Sequence, residues 1–221
     1  MNQPASSQDQ QTGKQENTWR GSFGDEYTQR NQFDDVHITE CAETFSQIFK
    51  SLPADANLSS ILEVGCNLGR NLEALSKITD AELFGIEPND SARGILQGKG
   101  FIKPDNIKNA IGVDIPFDDE AFDLVFTSVV LIHVPDNQIE QTLREIYRTS
   151  KRFILAKEYF NPSPTTIQYR GHSDLLFKRD YGSMYMDMFP DLKLLDYGFF
   201  WKRVVPCQDN TTWWLFEKNG A

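Results

Sequence analysis

The residues best placed to do chemistry are carboxylates and a histidine at the ends of short apolar runs. Glu63 lies in Leu62-Glu63-Val64-Gly65-Cys66-Asn67-Leu68-Gly69-Arg70-Asn71-Leu72, where a strand delivers an acid into a glycine-containing turn. Glycine lets the backbone bend sharply toward a ligand, and the helix that follows opens with free N–H groups. In a dinucleotide site those groups receive a pyrophosphate. Here Asn67 departs from the Gly-x-Gly-x-x-Gly pattern, and an acid at the strand end suits a cationic ligand better than a diphosphate. Glu87 closes the run Leu83-Phe84-Gly85-Ile86-Glu87. A carboxylate there accepts two hydrogen bonds from a ribose diol; a solvated strand end is the alternative. His133 sits in Leu131-Ile132-His133-Val134-Pro135. It is either a general base, since an unperturbed imidazole titrates near neutral pH, or a hydrogen-bonded loop residue. Glu158 and Tyr159 end another apolar run. Glu158 there binds a hydroxyl or amine of a substrate, or forms a strand-end salt bridge.

These residues need a scaffold that brings strand ends together, and the hydropathy pattern supplies one. Strand-like runs at 60–64, 83–87, 107–113, 122–127 and 152–158 alternate with helical patterns. Leu68, Leu72 and Leu75 mark one helix, Pro88-Asn89-Asp90-Ser91 starts a second, and Ile139, Leu143 and Ile146 define a third. Such alternation predicts an α/β fold, a doubly wound Rossmann-like sheet with every parallel strand ending along one ligand-binding edge. The runs 192–201 and 211–218 have no helix between them and predict an antiparallel hairpin that brings the sheet to about seven strands. Upstream, residues 1–18 read as a disordered polar tail. Residues 19–57 read as an N-terminal helical cap, in which Ile38, Ala42, Phe45 and Phe49 share a face and Pro53 ends the helix. Residues 58–221 form the main domain.

The net charge of −10 argues against a sequence-independent nucleic-acid binder. No apolar run approaches the roughly 20 residues that span a bilayer, and the N-terminus has no apolar core of a secretory signal. Cys41, Cys66 and Cys207 are far apart and suggest neither a disulfide framework nor a metal site, so reduced thiols in a cytoplasmic protein are expected.

The Glu63–Leu72 segment resembles motif I of class I S-adenosylmethionine-dependent methyltransferases, with Glu63, Gly65 and Gly69 matching and Asn67 in place of the middle glycine. Asn tolerates positive φ, so the turn can survive. The runs around Glu87-Pro88 and Gly112-Val113-Asp114-Ile115-Pro116-Phe117 are similar to the family's next motifs. The resemblance implies S-adenosylmethionine as cofactor on a class I methyltransferase fold. It puts Gly65, Cys66, Asn67 and Gly69 near the methionine part, with Glu63 ordering that loop. It gives Glu87 and Pro88 to the ribose side, the Asp114 carboxylate and Ile115 N–H to adenine, and Thr127 and Ser128 a place beside the sulfonium.

A closer likeness, to the pseudaminic acid biosynthesis-associated methylases, runs through Trp19-Arg20-Gly21, Phe23 to Asn31, Leu176-Phe177-Lys178-Arg179-Asp180-Tyr181 and Asp209-Asn210-Thr211-Thr212-Trp213. It implies methyl transfer to O or N of a small polar acceptor, such as a free or nucleotide-linked nonulosonic acid. Tyr27 and Arg30 would fold over the cofactor, Arg30 meeting its carboxylate. Tyr159, Arg170, His172 and Arg179 would face the acceptor, with His133 or Glu158 removing its proton. Three alternatives stand beside this: a cofactor-binding module without turnover, a methyltransferase for another metabolite or a protein, and a dehydrogenase. Oligomeric state is not legible.

Overall fold

β1 (Ser60–Val64) places Ile61, Leu62 and Val64 out of solvent on both faces, as a central parallel strand must. The computed structural model describes residues 16–167, 176–206 and 208–219 of the chain. β1 pairs in parallel with β2 (Glu82–Ile86) on one side and β4 (Phe122–Ser128) on the other. β3 (Ile107–Lys108) extends the sheet beyond β2, and β5 (Ser150–Glu158) beyond β4. β8 (Leu192–Phe200) and β9 (Thr211–Lys218) are antiparallel, with β9 inserted between β5 and β8. The seven-stranded order is therefore β3-β2-β1-β4-β5-β9-β8. β6 (Thr165–Thr166) and β7 (Phe177–Lys178) form a separate small ribbon.

Helices cover both faces. On one side α2 (Asp35–Phe49), capped by the Asp34 side chain, and α3 (Arg70–Leu75) meet the sheet through Cys41, Phe45, Ile48, Leu72 and Phe126. The other side carries α5 (Asp136–Thr149) and α6 (Tyr181–Met188), whose Ile139, Leu143, Tyr181 and Tyr185 pack on Leu62, Val125 and Phe216. Tyr181 and Tyr185 are both fully buried. α4 (Asp90–Gln97) follows β2, with Asn89 as its N-cap. α1 (Ser22–Arg30) lies at the ligand-binding edge.

Besides shifts of one or two residues at other strand ends, two boundaries differ from the sequence reading. The third strand stops at Lys108 instead of running to 113. Lys108 O takes the N–H of Glu87, and the next N–H that would face β3, that of Asn89, is bonded to Glu87 Oε1 instead. The chain is also helical over 16–20, within the stretch read as tail, where Glu16 and Arg20 form an i,i+4 ion pair of 2.8 Å.

Candidate active site

Three successive departures from ordinary backbone shape the loop after β1. Gly65 and Gly69 take φ of 76° and Asn67 takes 43°, so Asn67 adopts the left-handed region that its short polar side chain tolerates. The turn is pinned from below by the N–H groups of Gly65 and Cys66, which both donate to Ile86 O. A Cβ on Gly65 would lie 2.8 Å from Val130 Cγ2, and one on Gly69 would lie 2.3 Å from Leu96 Cδ1. Gly65 thus admits the loop after β4, whereas Gly69 admits α4. Gly69 does not line the cleft, so its role is helix packing in place of the expected ligand contact.

The cleft encloses about 1240 Å³ including its open mouth. Glu63, Gly65, Cys66, Asn67, Glu87 and Pro88 all line it, as do Tyr27 and His133. Glu63 is buried; its Oε1 accepts from Asn71 Nδ2 at 2.5 Å, and its Oε2 has no hydrogen-bond partner. Burial raises its pKa to about 8, against the Asn71 bond and the nearby charge of Lys157. Asn71 in turn accepts from Cys41 Sγ, tying the acid to α2. Glu87 accepts from Asn67 N through one oxygen and from Asn89 N through the other, both at 2.9 Å. It therefore joins the loops after β1 and β2, while burial pushes its pKa upward. Burial also raises the Cys66 thiol well above its usual range, which removes it as a nucleophile.

A second wall comes from the N-terminal segment. Trp19 packs against His133, with ring centroids 4.6 Å apart, and edge-on against Phe23 and Tyr27 at 5.2 and 5.3 Å. This segment is bonded to the cofactor-side loops themselves. Thr28 Oγ1 meets Asn67 Oδ1, and Asn89 Nδ2 donates to Trp19 O and Asp25 Oδ1. Arg20 reaches Pro88 O and Asn109.

Several expected contacts are corrected. Arg30 points to Glu26 along its own helix and does not line the cleft. Arg70, at the start of α3, lines it instead, and no hydrogen-bonded ion pair occupies it among the described residues. Asp114 is exposed outside the cleft, and the Ile115 N–H is consumed by Glu145 Oε2 at 3.0 Å. The backbone of Gly112 and Val113 lines the cleft in their place. Thr127 is buried and turned away, leaving Ser128 at the lining.

Glu158 is fully buried and is not a substrate group. Its Oε1 accepts the N–H groups of Val130 and Leu131, both at 3.1 Å, and burial raises its pKa to about 7. Arg179 is also buried; it holds Asp136 Oδ1 at 2.5 Å and lies 3.5 Å from Leu131 O. Both side chains therefore brace the segment that carries His133. That segment begins at Val129, a β-branched residue with φ of 60°, a strained conformation of the kind that gathers at functional sites.

Tyr159, expected to face the acceptor, does not line the cleft; it donates to Asp209 Oδ2 at 2.5 Å, with Lys178 Nζ 5.0 Å from its ring centre. The Tyr159 bond and Lys202 hold the Asp209 carboxyl below its usual pKa, against the opposing effect of burial. Arg170 and His172 lie outside the described residues. Trp19, Arg70, Gln138 and Thr142 at the lining went unassigned from sequence, the last two because an ordinary amphipathic helix carries them.

Among the described residues no group of three or more His, Cys, Asp or Glu can hold a metal ion, and no helix is long and apolar enough to cross a membrane. The cleft lining sets Glu16, Glu63 and Glu87 against Arg70. That balance fits a sulfonium and an amino-acid moiety and offers no cationic cradle for a diphosphate.

The sheet order with its antiparallel β9 is the class I S-adenosylmethionine-dependent methyltransferase fold. Residues 62–152 match the model of a methyltransferase domain. One curated relative is Methyltransferase GfsG of Streptomyces halstedii, 26% identical over 148 residues, covering 57% of this chain and 52% of that protein. The matches span 24% to 52% of the curated relatives' own lengths.

Two solved structures share the fold over nearly the whole chain. Magnesium protoporphyrin IX methyltransferase of Synechocystis PCC 6803, with bound SAM, has a TM-score of 0.64 at 14% identity, covering 99% of this chain and 100% of that one. The 1,6-didemethyltoxoflavin-N1-methyltransferase of Burkholderia thailandensis, with bound 1,6-didemethyltoxoflavin and S-adenosylhomocysteine, has a TM-score of 0.69 at 8% identity, covering 99% of this chain and 93% of that one.

Proposed function

We propose that this protein transfers the methyl group of S-adenosylmethionine to an O or N atom of a small polar acceptor, with nonulosonic-acid sugars or their nucleotide-linked precursors as the acceptor class. The observation that carries the cofactor reading is Glu87, a carboxylate in the cleft between the two glycine- and asparagine-shaped loops. The bound cofactor supplies a methyl carbon on a positive sulfur, ready for in-line displacement. This chain's residues do the rest. Glu87 holds the ribose hydroxyls, Arg70 the amino-acid carboxylate, and Glu63 fixes the loop beneath it through Asn71. Trp19 and Tyr27 keep water from the mouth, which favours alignment of the two reactants. His133, braced from below by Glu158 and Arg179, takes the acceptor's proton as the new bond forms.

The sugar acceptor rests on the likeness at residues 19–31, 176–181 and 209–213. It is supported by Tyr159, Asp209 and Lys178, gathered where β5 ends, polar groups suited to a hydroxylated acid. Calorimetric titration with S-adenosylmethionine, S-adenosylhomocysteine and NAD tests the cofactor. Radiolabelled methyl transfer to free and nucleotide-linked nine-carbon acidic sugars tests the acceptor. Binding of NAD alone would overturn the first reading. Cofactor binding with no transfer to any of those sugars would overturn the second and favour a module without turnover, or another acceptor.

A further inference from the structure

The adenine-side residues expected from sequence leave the base without a reader, since Asp114 points outside and Ile115 N–H is bonded to Glu145. The cleft nevertheless carries polar side chains at that end. Gln138 and Thr142 lie four residues apart on α5, so they share one helix face. Both line the cleft together with Ile111, Gly112 and Val113. Gln138 Nε2 and Thr142 Oγ1 are buried and have no hydrogen-bond partner. Thr142 is 1% exposed, and a Cβ on Gly112 would lie 2.7 Å from its Cγ2. The bare backbone of Gly112 is what lets this helix face close on the cleft.

Buried polar atoms in a folded protein ordinarily have partners, and two unpartnered ones on one helix face at a cleft call for a ligand. A carboxamide carries a donor and an acceptor side by side. Adenine presents its exocyclic N–H donor next to a ring-nitrogen acceptor, the pairing that Gln makes with this base. We infer that Gln138 and Thr142 form the base-reading subsite of the cleft, with Gln138 bonding the adenine edge through its amide and Thr142 closing the pocket behind it. The inference rests on the cofactor reading above and names residues for its adenine end that the sequence motifs do not.

The test is a cycle between protein and ligand on the full chain. S-adenosylhomocysteine and its analogue lacking the 6-amino group are titrated into the parent protein, Gln138→Ala and Thr142→Val. Circular dichroism confirms that each variant is folded. The parent is expected to bind the analogue about tenfold more weakly. Gln138→Ala weakens S-adenosylhomocysteine about tenfold and binds the two ligands within about twofold of each other. Thr142→Val, close to isosteric, weakens both ligands severalfold while keeping the parent's preference. A folded Gln138→Ala protein that still discriminates tenfold would overturn the subsite and leave the cofactor reading intact. Failure of the parent to bind S-adenosylhomocysteine would overturn the cofactor reading, and the subsite with it.

Discussion

Replacing Glu87 tests the cofactor reading at one pair of oxygen atoms. Each carboxylate oxygen already accepts one backbone N–H at 2.9 Å, from Asn67 and from Asn89. An ionised carboxylate has about four acceptor positions, so about two remain for the ribose hydroxyls. A hydrogen bond to a charged group contributes about 1.5–3 kcal/mol, but on loss of the carboxylate water re-solvates the hydroxyls and recovers part of that. Glu87→Ala is therefore expected to cost about 3 kcal/mol of S-adenosylhomocysteine binding, roughly a hundredfold in Kd at about 1.4 kcal/mol per tenfold. Glu87→Gln keeps one acceptor oxygen and should cost about tenfold. Isothermal titration of both variants against the 2′,3′-dideoxy analogue separates direct from indirect effects. The analogue should lose far less affinity on Glu87→Ala than S-adenosylhomocysteine does, because only the tie between the two loops is lost to it. If Glu87→Ala holds S-adenosylhomocysteine within threefold of the parent, or loses the analogue equally, the diol argument is wrong.

Other consequences follow from the same geometry. Glu63 and Glu158 have pKa values raised to about 8 and about 7 by burial. Their contribution is complete below the unfolded value of about 4.5 and is lost as pH climbs through 7 and 8. Thermal melts should thus show the free protein losing stability from about pH 4.5 to 8 and levelling above that, with a slope approaching about 1.4 kcal/mol per unit for each group, and Glu63→Gln should flatten that fall. A profile level across this range would contradict the assignment. Gly65→Ala meets Val130 and a positive φ together, so cofactor affinity should drop at least tenfold by calorimetry while the fold persists. Arg179→Met removes the buried brace at Asp136 and Leu131. Its expected signature is a fall in kcat, with a changed pH–rate profile, and little change in cofactor Kd. Parent-like kinetics would return Arg179 to a purely architectural role.

What was legible in the sequence is what local chain geometry dictates. The alternation of runs was enough for the sheet, and Asn67 could be assigned a positive φ because the turn demands one and Asn tolerates it. Glu63 and Glu87 were legible because their strands are adjacent and parallel, so both acids arrive at one edge. Contacts made across the fold were not. The Ile115 N–H meets an acid 30 residues away on α5, Glu158 serves backbone amides 27 and 28 residues upstream, and Arg179 reaches a carbonyl 48 residues back. Glu158 and Arg179 look like site residues in one dimension, because a lone charged side chain near a strand end carries no mark of who will neutralise it, and a backbone N–H such as that of Ile115 carries no mark of its partner. Gln138 and Thr142 show the opposite failure, polar residues hidden in an ordinary amphipathic helix whose buried face borders the cleft.

The hydrogen bonds from the N-terminal segment to Asn67, Pro88 and Asn89 make the roof of the cleft part of its floor. Anything that strains the floor loops also loosens the roof. Under the proposed function, spent cofactor leaving past residues 16–31 would have to break these bonds, so its departure and the lifting of that segment would be coupled. Turnover would then be timed by an unlatching step, and Trp19, indole against imidazole at the seam, is a built-in optical reporter of that step, readable in a stopped-flow trace before any acceptor is known.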